Sequence, residues 1–363
     1  MTNWIHPKGY ITYSLGMSPS SPQLNAIEWA LKKREAFFSL HGLTSFYGAE
    51  PHPLLEQFPR SSLFCKQTDY SKAMALQASG FSLASIDLSP YHYDFLIISG
   101  TKSRAYNEQL LQEAAIEAKQ DATMLFCLES KSGGDALAKR LAAELSSPIE
   151  VESKARCKFI LFNSEAVGEL RKRPYNHSSY VKHDSRTYST HPALFSWSEP
   201  DKGSLFFEKL LLESDECISG KGADIGCGWG MLGFSLLHYA PQIERVTFLD
   251  TERYAIHAVK RSIEHFGYGQ RANALWGDVR QWNTPEFDWI VSNIPYHSGR
   301  STDYVMQIEF VRGLMRGLHR SGVAYVLAHH IPPVHFSEAL EGVSVRVLAE
   351  AQPYWILRLS YNS

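Results

Sequence analysis

The stretch Asp224-Ile225-Gly226-Cys227-Gly228-Trp229-Gly230 lies between a short apolar strand, Gly222–Ile225, and an apolar helix, Met231–Tyr239. Glycines let the backbone turn sharply and approach a ligand where a Cβ would otherwise stand. The first turn of the following helix offers N–H groups that have no partner within the helix. The stretch therefore predicts a nucleotide-cofactor loop, here called the glycine loop (Asp224–Gly230). Taken alone, it is also compatible with a tight βα turn that binds nothing.

The glycine spacing and the leading acid distinguish between two classes of cofactor. Dinucleotide loops follow G-x-G-x-x-G and hold a diphosphate at the helix N-terminus. Here the spacing is G-x-G-x-G, and Asp224 precedes it. A carboxylate at that position would repel a diphosphate, whereas it suits a zwitterionic ligand that carries a cation. The loop therefore predicts S-adenosylmethionine as the cofactor, with contacts from Asp224, Gly226, Gly228 and Gly230.

Two further acids follow the second and third predicted strands of the same layer. Asp250 ends the second strand, and Asp278 follows the third, with Val279 beside it. Ligands of open α/β sheets bind at the carboxyl ends of the strands, so these residues should lie near the glycine loop. A carboxylate at Asp250 can accept both hydroxyls of a ribose, and Asp278 can accept the amino group of adenine. With Asp224 they predict a nucleoside site.

A short signature, Asn293-Ile294-Pro295-Tyr296-His297, ends the fourth predicted strand. An exocyclic base amine is a poor nucleophile because its lone pair is delocalised into the ring. The Asn293 side-chain oxygen and the Ile294 carbonyl can accept its two hydrogens, which localises that lone pair. Pro295 fixes the turn, and Tyr296 can stack on the base. His297 can steer the base or fill space, and a strand-end turn without chemistry is the alternative for the whole signature.

Strand and helix alternate through both halves of the chain. In the second half the pattern predicts a seven-stranded, mainly parallel sheet. Only about five residues separate its last two strands, too few for a parallel crossover, so they should form an antiparallel hairpin. In the first half Tyr93–Ser99 repeats the pattern of residues 287–293, but Gly100-Thr101-Lys102 follows it. We predict an α/β fold of two tandem Rossmann-like domains that arose by duplication, the first without a glycine loop; chance similarity is the alternative.

These patterns set the predicted domain limits. Residues 1–50 form an N-terminal extension with one amphipathic helix, about Gln23–Phe38. Residues 51–165 form the degenerate domain, and residues 201–363 form the catalytic domain. Between them, residues 166–200 are rich in Ser, His, Tyr and basic side chains and are interpreted as a basic linker.

Composition and charge exclude several classes of protein. Of the 363 residues 44% are apolar and 20% charged, which is typical of globular proteins, and the net charge of −2 favours no polyanion in general. Residues 151–190 nevertheless hold eight Lys and Arg against four acids, which predicts a solvated surface or a phosphate-contacting strip.

We find no membrane span and no signal peptide, so we expect a cytoplasmic protein without a membrane partner. The scattered cysteines form no Cys-x-x-Cys pair, so we expect no metal.

On these motifs the chain resembles the bacterial ribosomal RNA small subunit methyltransferases of the C type, which are guanine-N2 methyltransferases, and their large-subunit relatives. The resemblance runs from about residue 85 to the end of the chain. It rests on Phe195-Ser196 with Asp201-x-Gly203-Ser204, on Asp224–Gly230, and on Asp288 through His297. Proteins of this family resemble two fused methyltransferase-like domains, of which only the C-terminal one binds S-adenosylmethionine.

The resemblance implies functions for particular residues. It implies that Asn293 to Tyr296 hold a target guanine beside the cofactor and that Asp201 to Ser204 lie near its methionine part. Asp201, Gly203 and Asn293 thereby join the predicted cofactor contacts. The family motif usually reads Asn-Pro-Pro-Phe-His, so Ile294 and Tyr296 are departures. Asn-Ile-Pro-Tyr also resembles the motif of adenine-N6 dimethyltransferases of ribosomal RNA, which leaves guanine or adenine open.

Three functions remain in competition at this point. The leading hypothesis is methyl transfer from S-adenosylmethionine to an exocyclic amine of ribosomal RNA, with guanine N2 preferred, by a monomer that binds ribosomal RNA or the small ribosomal subunit. The second is a methyltransferase for adenine N6, transfer RNA, a protein amide or a small molecule. The third is a non-catalytic RNA-binding or ribosome-assembly protein with a vestigial fold. The intact Asp224, Asp250, Asp278 and Asn293 favour an enzyme over the third.

Overall fold

The computed structural model contains two seven-stranded sheets of the same topology. It describes residues 21–34, 42–88, 92–174, 179–213, 218–295 and 301–362. The strands of the first sheet are β1 (Thr44–Tyr47), β2 (Leu63–Lys66), β3 (Ser82–Leu83), β4 (Tyr93–Ser99), β5 (Ala118–Glu129), β6 (Ile149–Lys154) and β7 (Cys157–Phe162). The helices of this half are α1 (Pro22–Lys33), α2 (Tyr70–Ala78), α3 (Arg104–Glu117), α4 (Gly134–Glu144) and α5 (Ser164–Arg171).

A two-stranded hairpin and the second sheet follow. The hairpin consists of β8 (Ser179–His183) and β9 (Arg186–Thr190). The strands of the second sheet are β10 (Gly220–Ile225), β11 (Ile243–Asp250), β12 (Ala272–Trp276), β13 (Phe287–Asn293), β14 (Leu318–His329), β15 (Val343–Ala351) and β16 (Tyr354–Tyr361). Its helices are α6 (Lys202–Glu213), α7 (Met231–Tyr239), α8 (Arg253–Phe266), α9 (Ser301–Gly317) and α10 (Pro333–Ala339).

The two sheets have equivalent strand orders. The first is β3-β2-β1-β4-β5-β7-β6 and the second is β12-β11-β10-β13-β14-β16-β15. In the second sheet β10 to β14 pair in parallel, and β16 runs antiparallel to both β14 and β15. Both predictions about this fold, two tandem Rossmann-like domains and a terminal antiparallel hairpin, are confirmed.

The central strands are apolar because helices cover both faces of the second sheet. Consecutive residues of β13 point to opposite faces, so Trp289 packs in one buried cluster and Ile290 in the other. The same alternation separates Phe248 from Leu249 in β11. A strand buried on both faces shows a nearly continuous apolar run, which explains why the sequence pattern locates it well.

Residues 166–200, predicted as a basic linker, contain regular structure over part of their length, and their function as a linker stays a prediction. Helix α5 begins with Asn163, whose side chain accepts a hydrogen bond from the backbone N–H of Ala166. The hairpin β8–β9 turns at Asp184 and Ser185, which both have positive φ angles of 47° and 60°. Such turns usually carry Asn-Gly or another glycine pair. Asp184-Ser185 does not match that pattern, so the sequence did not predict the hairpin.

Contacts divide the chain into two compact units, and the second takes in two segments from the first half. The first unit comprises the described residues up to Phe64, Leu88–Lys102 and Leu110–Lys172. The second comprises Cys65–Asp87, Ser103–Gln109 and the described residues from Arg173 onward. The domain limits at residues 50, 165 and 200 stay predictions, although β1 already belongs to the first sheet.

In the first unit, the carboxyl edge of the sheet is filled by the protein itself. The Gln23 side chain of α1 donates to the carbonyl oxygens of Gly100 and Cys127, at 2.9 and 3.1 Å. A Cβ on Gly100 would stand 2.6 Å from Phe126. A single glycine, Gly48, follows β1 directly, whereas three glycines follow the equivalent strand β10 in the second unit. Among its described residues, this unit therefore shows no open edge like the one that the glycine loop creates in the second.

Neither membrane-spanning helices nor metal-binding groups of side chains occur in the described part of the chain. Within it, no helix is both long and apolar enough to span a membrane. In those same residues, no group of three or more His, Cys, Asp or Glu side chains has a metal-binding arrangement.

Candidate functional site

The glycine loop adopts a conformation that requires its glycines. Gly226, Gly228 and Gly230 have φ angles of 68°, 54° and 91°, a region that side chains with a Cβ rarely enter. A Cβ on Gly230 would stand 2.8 Å from Phe234, so this glycine is also needed for packing. A Cβ on Gly228 would meet nothing within 4 Å. The space above Gly228 is therefore open, as expected for a ligand cradle.

Asp250 lies at the end of β11 and is linked directly to this cradle. Its carboxylate accepts hydrogen bonds from the backbone N–H groups of Gly228 and Glu252, both at 2.8 Å. Burial raises the pKa of Asp250, and these two N–H groups offset part of that rise. Each carboxylate oxygen has a second lone pair, so Asp250 can accept further hydrogen bonds from a diol while it holds the loop.

Asp224 is buried beneath the loop at the end of β10. Its side chain accepts a hydrogen bond from the backbone N–H of Gly233 at 2.9 Å, in the first turn of α7. Burial, with a smaller contribution from the charge of Asp250, raises the pKa of Asp224 to about 8, against the effect of this N–H. Within the described part of the chain, neither acid forms an ion pair. Two buried acids of this kind favour a ligand that brings a positive charge.

Replacing Asp224 by Asn should stabilise the ligand-free protein, most strongly at high pH. Because the folded pKa is about 8 and the unfolded value is about 4, stability is lost as the pH rises through this window. Asn keeps an acceptor for the Gly233 N–H and removes the charge. We expect Asp224→Asn to raise the free energy of unfolding by about 2 kcal/mol at pH 8 and far less at pH 5 in urea titrations. An equal gain at both pH values would contradict this assignment.

Asp278 lies at the start of a short 3₁₀ turn, Val279–Gln281, after β12. Its carboxylate accepts hydrogen bonds from the backbone N–H and the guanidinium of Arg280 at 2.5 to 3.0 Å, and from the Ser71 hydroxyl at 2.8 Å. Burial would raise the pKa of Asp278, but the hydrogen bonds from Arg280 outweigh it, and the net pKa is lowered. Asp278 is therefore held as a carboxylate, with Val279 buried beside it.

Asn293 ends β13, and its side-chain orientation follows from its partners. The amide nitrogen donates to the Ser204 hydroxyl at 3.0 Å and to the Asp201 carboxylate at 3.3 Å. A carboxylate can only accept, so the NH₂ group must face Asp201 and Ser204. The Asn293 oxygen consequently points away from them and is available to accept a hydrogen bond. This is the orientation that the sequence-based role of Asn293 requires.

The glycine loop and the Asn293 signature meet at the same edge of the sheet. Ser292 donates from its buried hydroxyl to the carbonyl oxygen of Ile225 at 2.7 Å, which joins the two strand ends. A Cβ on Gly226 would stand 3.8 Å from the ring of Pro295. Ile294 is buried, and its N–H donates to the Leu327 carbonyl at 3.0 Å. The remaining predicted site residues, Tyr296 and His297, lie outside the described residues.

The structure gives Asp201 and Gly203 functions that differ in kind from the predicted cofactor contact. Asp201 accepts from the backbone N–H of Ser204 at 2.9 Å and so caps α6 as well as fixing Asn293. A Cβ on Gly203 would stand 2.8 Å from both Leu327 and Tyr354, so packing alone demands glycine. Direct contact of these two residues with a cofactor stays a prediction.

The sequence alone assigned no function to several residues that the structure places at the site. Trp229 donates from its indole N–H to the Ser196 carbonyl at 3.2 Å, which ties the segment before α6 to the glycine loop. His329 stacks on Tyr354 at the end of β14, near Asp201. Burial and the neighbouring His330 lower the pKa of His329. Ser71 comes from a distant part of the chain. Only the position of His329 at a strand end could have been inferred from the sequence.

Some of the basic side chains counted over residues 151–190 bond to other parts of the fold. Arg171 donates to the carbonyl oxygens of Ala115, Ala118 and Lys119, a structural function inside the first unit. Lys158 pairs with Asp135 at 2.9 Å. Several of these cations thus stabilise the fold, and the solvated-surface interpretation suits Lys154 and Lys182, which are exposed.

Comparisons with known proteins agree with this geometry. A family model described as "Methyltransferase small domain" matches residues 185–358. The Idiomarina loihiensis protein named ribosomal RNA small subunit methyltransferase C is 27% identical over 258 residues, which cover 69% of this chain and 73% of that protein. The Pseudomonas putida protein of the same name is 24% identical over 320 residues, covering 85% and 92%.

A solved structure matches the chain over nearly its full length. The T. thermophilus 16S rRNA N2 methyltransferase in complex with AdoMet and guanosine superposes with a TM-score of 0.75, covering 95% of this chain and 93% of that chain. The two sequences are 18% identical. At this identity the likeness shows the fold, and it extends the agreement to both halves of the chain.

Proposed function

We propose that this chain, as a member of the ribosomal RNA small subunit methyltransferase C-like family, transfers a methyl group from S-adenosylmethionine to the N2 amine of a guanine in small-subunit ribosomal RNA. The observation that carries the proposal is the orientation of Asn293, whose amide oxygen faces away from Asp201 and Ser204 at the sheet edge that also holds the glycine loop. The relatives named for small-subunit ribosomal RNA support the substrate class.

The chain's own residues suit each part of the cofactor. Asp250 would hold the ribose hydroxyls, Asp224 would face the positive charge, and the open backbone at Gly228 allows close approach. S-adenosylmethionine, when bound, supplies an electrophilic methyl group on a sulfonium. The raised pKa values of Asp224 and Asp250 fit this ligand, because a nearby cation favours the ionised form of both acids.

Asn293 activates the acceptor by orientation. Its fixed amide oxygen would accept one hydrogen of the base amine, and the Ile294 carbonyl would accept the other. With both hydrogens held, the nitrogen lone pair is directed out of the ring plane toward the methyl group. The nitrogen would form the new N–C bond as the sulfonium–methyl bond breaks and S-adenosylhomocysteine leaves, and the methylated amine would release its proton to water afterwards, so these residues need no strong base. Pro295 and Tyr296 would hold the base face, and His297 its edge.

Ser204 should be a positioning residue for this step. Ser204→Ala removes the closer of the two acceptors that hold the Asn293 amide nitrogen, while Asp201 remains at 3.3 Å. We expect the single-turnover methylation rate to fall about 5- to 10-fold, as for the loss of one hydrogen bond. Binding of S-adenosylhomocysteine, measured by calorimetry, should stay within about twofold.

Two controls separate this role from general damage. Ser204→Thr restores a hydroxyl and should recover most of the rate. Ser337→Ala removes a serine hydroxyl from α10 that donates to the Pro333 carbonyl, and it should leave the rate unchanged. A Ser204→Ala variant with full activity would show that Asp201 alone orients the amide.

The direct test is transfer of labelled methyl groups to unmodified ribosomal RNA and to small subunits, followed by identification of the modified nucleoside. N2-methylguanosine in small-subunit RNA is the expected product. N6-methyladenosine would favour the second candidate, which rests on the Ile294 and Tyr296 departures. No transfer and no binding of S-adenosylhomocysteine would refute the enzyme altogether. We further propose that the protein acts as a monomer in the cytoplasm.

A further inference from the structure

Residues Thr68–Ser71, here called the adenine flap, are bonded to the strand ends of the cofactor site. The N–H of Tyr70 donates to the Thr251 carbonyl at 2.8 Å, and the N–H of Arg253 donates to the Thr68 carbonyl at 2.9 Å. Both bonds join the flap to the residues directly after Asp250. The flap belongs to the same compact unit as β11 and β12, although it is more than 180 residues away in sequence.

Side chains bind the flap to both neighbouring strands. The Thr68 hydroxyl donates to Glu252 at 2.9 Å. The indole N–H of Trp276, at the end of β12, donates to the carbonyls of Thr68 and Thr251 at 3.1 and 2.8 Å. The rings of Tyr70 and Trp276 meet edge to face at 5.2 Å. The flap therefore bridges the ends of β11 and β12, between which the adenine of a cofactor held at Asp250 would lie.

The Asp278 carboxylate has no acceptor capacity left for an adenine amine. A carboxylate offers about four lone-pair positions. One oxygen accepts the backbone and Nε hydrogens of Arg280, and the other accepts Nε, Nη2 and the Ser71 hydroxyl. The Asp278 side chain is only 4% exposed. A further donor would have to displace one of these charge-assisted bonds.

Ser71 provides the acceptor instead. Its O–H donates to Asp278, so its only hydrogen is committed and its oxygen lone pairs remain. Ser71 stands in the first turn of α2 and is half-buried. A hydroxyl whose proton is held by a carboxylate accepts hydrogen bonds but cannot donate a second one.

We propose that the adenine flap forms the outer wall of the adenine subsite and that Ser71 accepts the 6-amino group of the cofactor. This inference rests on the proposed function, since it concerns the same cofactor. It assigns Asp278 an indirect role as the residue that orients the Ser71 hydroxyl. The subsite then selects a 6-amino purine over a 6-oxo purine, because Ser71 has no hydrogen to offer a carbonyl oxygen.

Calorimetry with two product analogues tests the proposal without activity. S-adenosylhomocysteine carries the 6-amino group, and S-inosylhomocysteine carries a 6-oxo group instead. We expect the native protein to bind the first at least about tenfold more tightly. In Ser71→Ala, affinity for S-adenosylhomocysteine should fall about 5- to 10-fold while affinity for S-inosylhomocysteine stays constant, so that the selectivity disappears.

Control variants and the possible outcomes distinguish the role of Ser71 from the proposed function itself. Ser71→Thr keeps the hydroxyl and should retain selectivity, and Ser79→Ala, at the other end of α2, should behave as the native protein. Equal affinity of the native protein for both analogues overturns the proposal even if Ser71→Ala fails to fold. Unchanged selectivity in Ser71→Ala also overturns it. A native protein that binds neither analogue refutes the proposed function itself.

Discussion

Asn293→Ala should lower the rate of methyl transfer by about 100- to 1,000-fold, the range found when one fixed polar group that stabilises a transition state is removed. The variant loses the oxygen that Asp201 and Ser204 aim at the acceptor. The loss should appear in kcat, because the interaction strengthens as the amine attacks. Affinity for S-adenosylhomocysteine should change less than about threefold.

A second asparagine provides a matched control. Asn273 lies in β12 of the same sheet, where its side-chain oxygen accepts from the Thr247 hydroxyl at 2.9 Å. Asn273→Ala should methylate at the native rate. If Asn293→Ala keeps its activity while it folds and binds S-adenosylhomocysteine normally, the acceptor role of Asn293 is wrong. If Asn273→Ala loses as much activity as Asn293→Ala, the loss of activity comes from disruption of the sheet and not from loss of the Asn293 oxygen.

Asp250→Asn should weaken binding of S-adenosylhomocysteine about 100-fold. The native carboxylate accepts from Gly228 and Glu252 and still has lone pairs for two ribose hydroxyls. Asn has a single acceptor oxygen, and its NH₂ group would oppose one of the backbone N–H donors. Loss of charge-assisted bonds of about 1.5 to 3 kcal/mol each accounts for the size of the effect.

The measurement is calorimetry, with Asp288→Asn as the control. Asp288 lies at the opposite, amino end of the sheet, where its carboxylate accepts from the Lys221 N–H at 2.9 Å. Its substitution should leave the dissociation constant unchanged. A dissociation constant of Asp250→Asn within about threefold of native would show that the ribose is held elsewhere.

The second sheet could be predicted closely from sequence because its strands and helices have strong, regular patterns. The helix predicted at Met231–Tyr239 has those bounds, and Asp288–Ser292 lies within β13. The acids at the strand ends could be placed together because parallel strands share one carboxyl edge. The short strands β1, β2 and β8 were not predicted, because a pattern of four or five residues is too short to distinguish a strand from a loop.

The parts of the site that could not be predicted depend on contacts across long stretches of chain. Ser71 bonds Asp278 across 207 residues, and Thr68 bonds Glu252 across 184. No local pattern announces such pairs, because Thr and Ser in a loop before a helix are ordinary capping residues. The orientation of Asn293 is similar, since its partners lie 89 and 92 residues earlier.

The distance in sequence between the adenine flap and its partners also affects how the protein is made. At a synthesis rate of about 5 to 20 residues per second, Asp278 follows Ser71 by about 10 to 40 s. Through that interval Thr68–Ser71 has emerged from the ribosome without the strand ends that it bridges. The nascent chain can therefore assemble much of its first sheet early, while the complete cofactor pocket can form only after Asp278 and Asn293 have been synthesised. Prematurely terminated chains should consequently be unable to sequester the methyl donor.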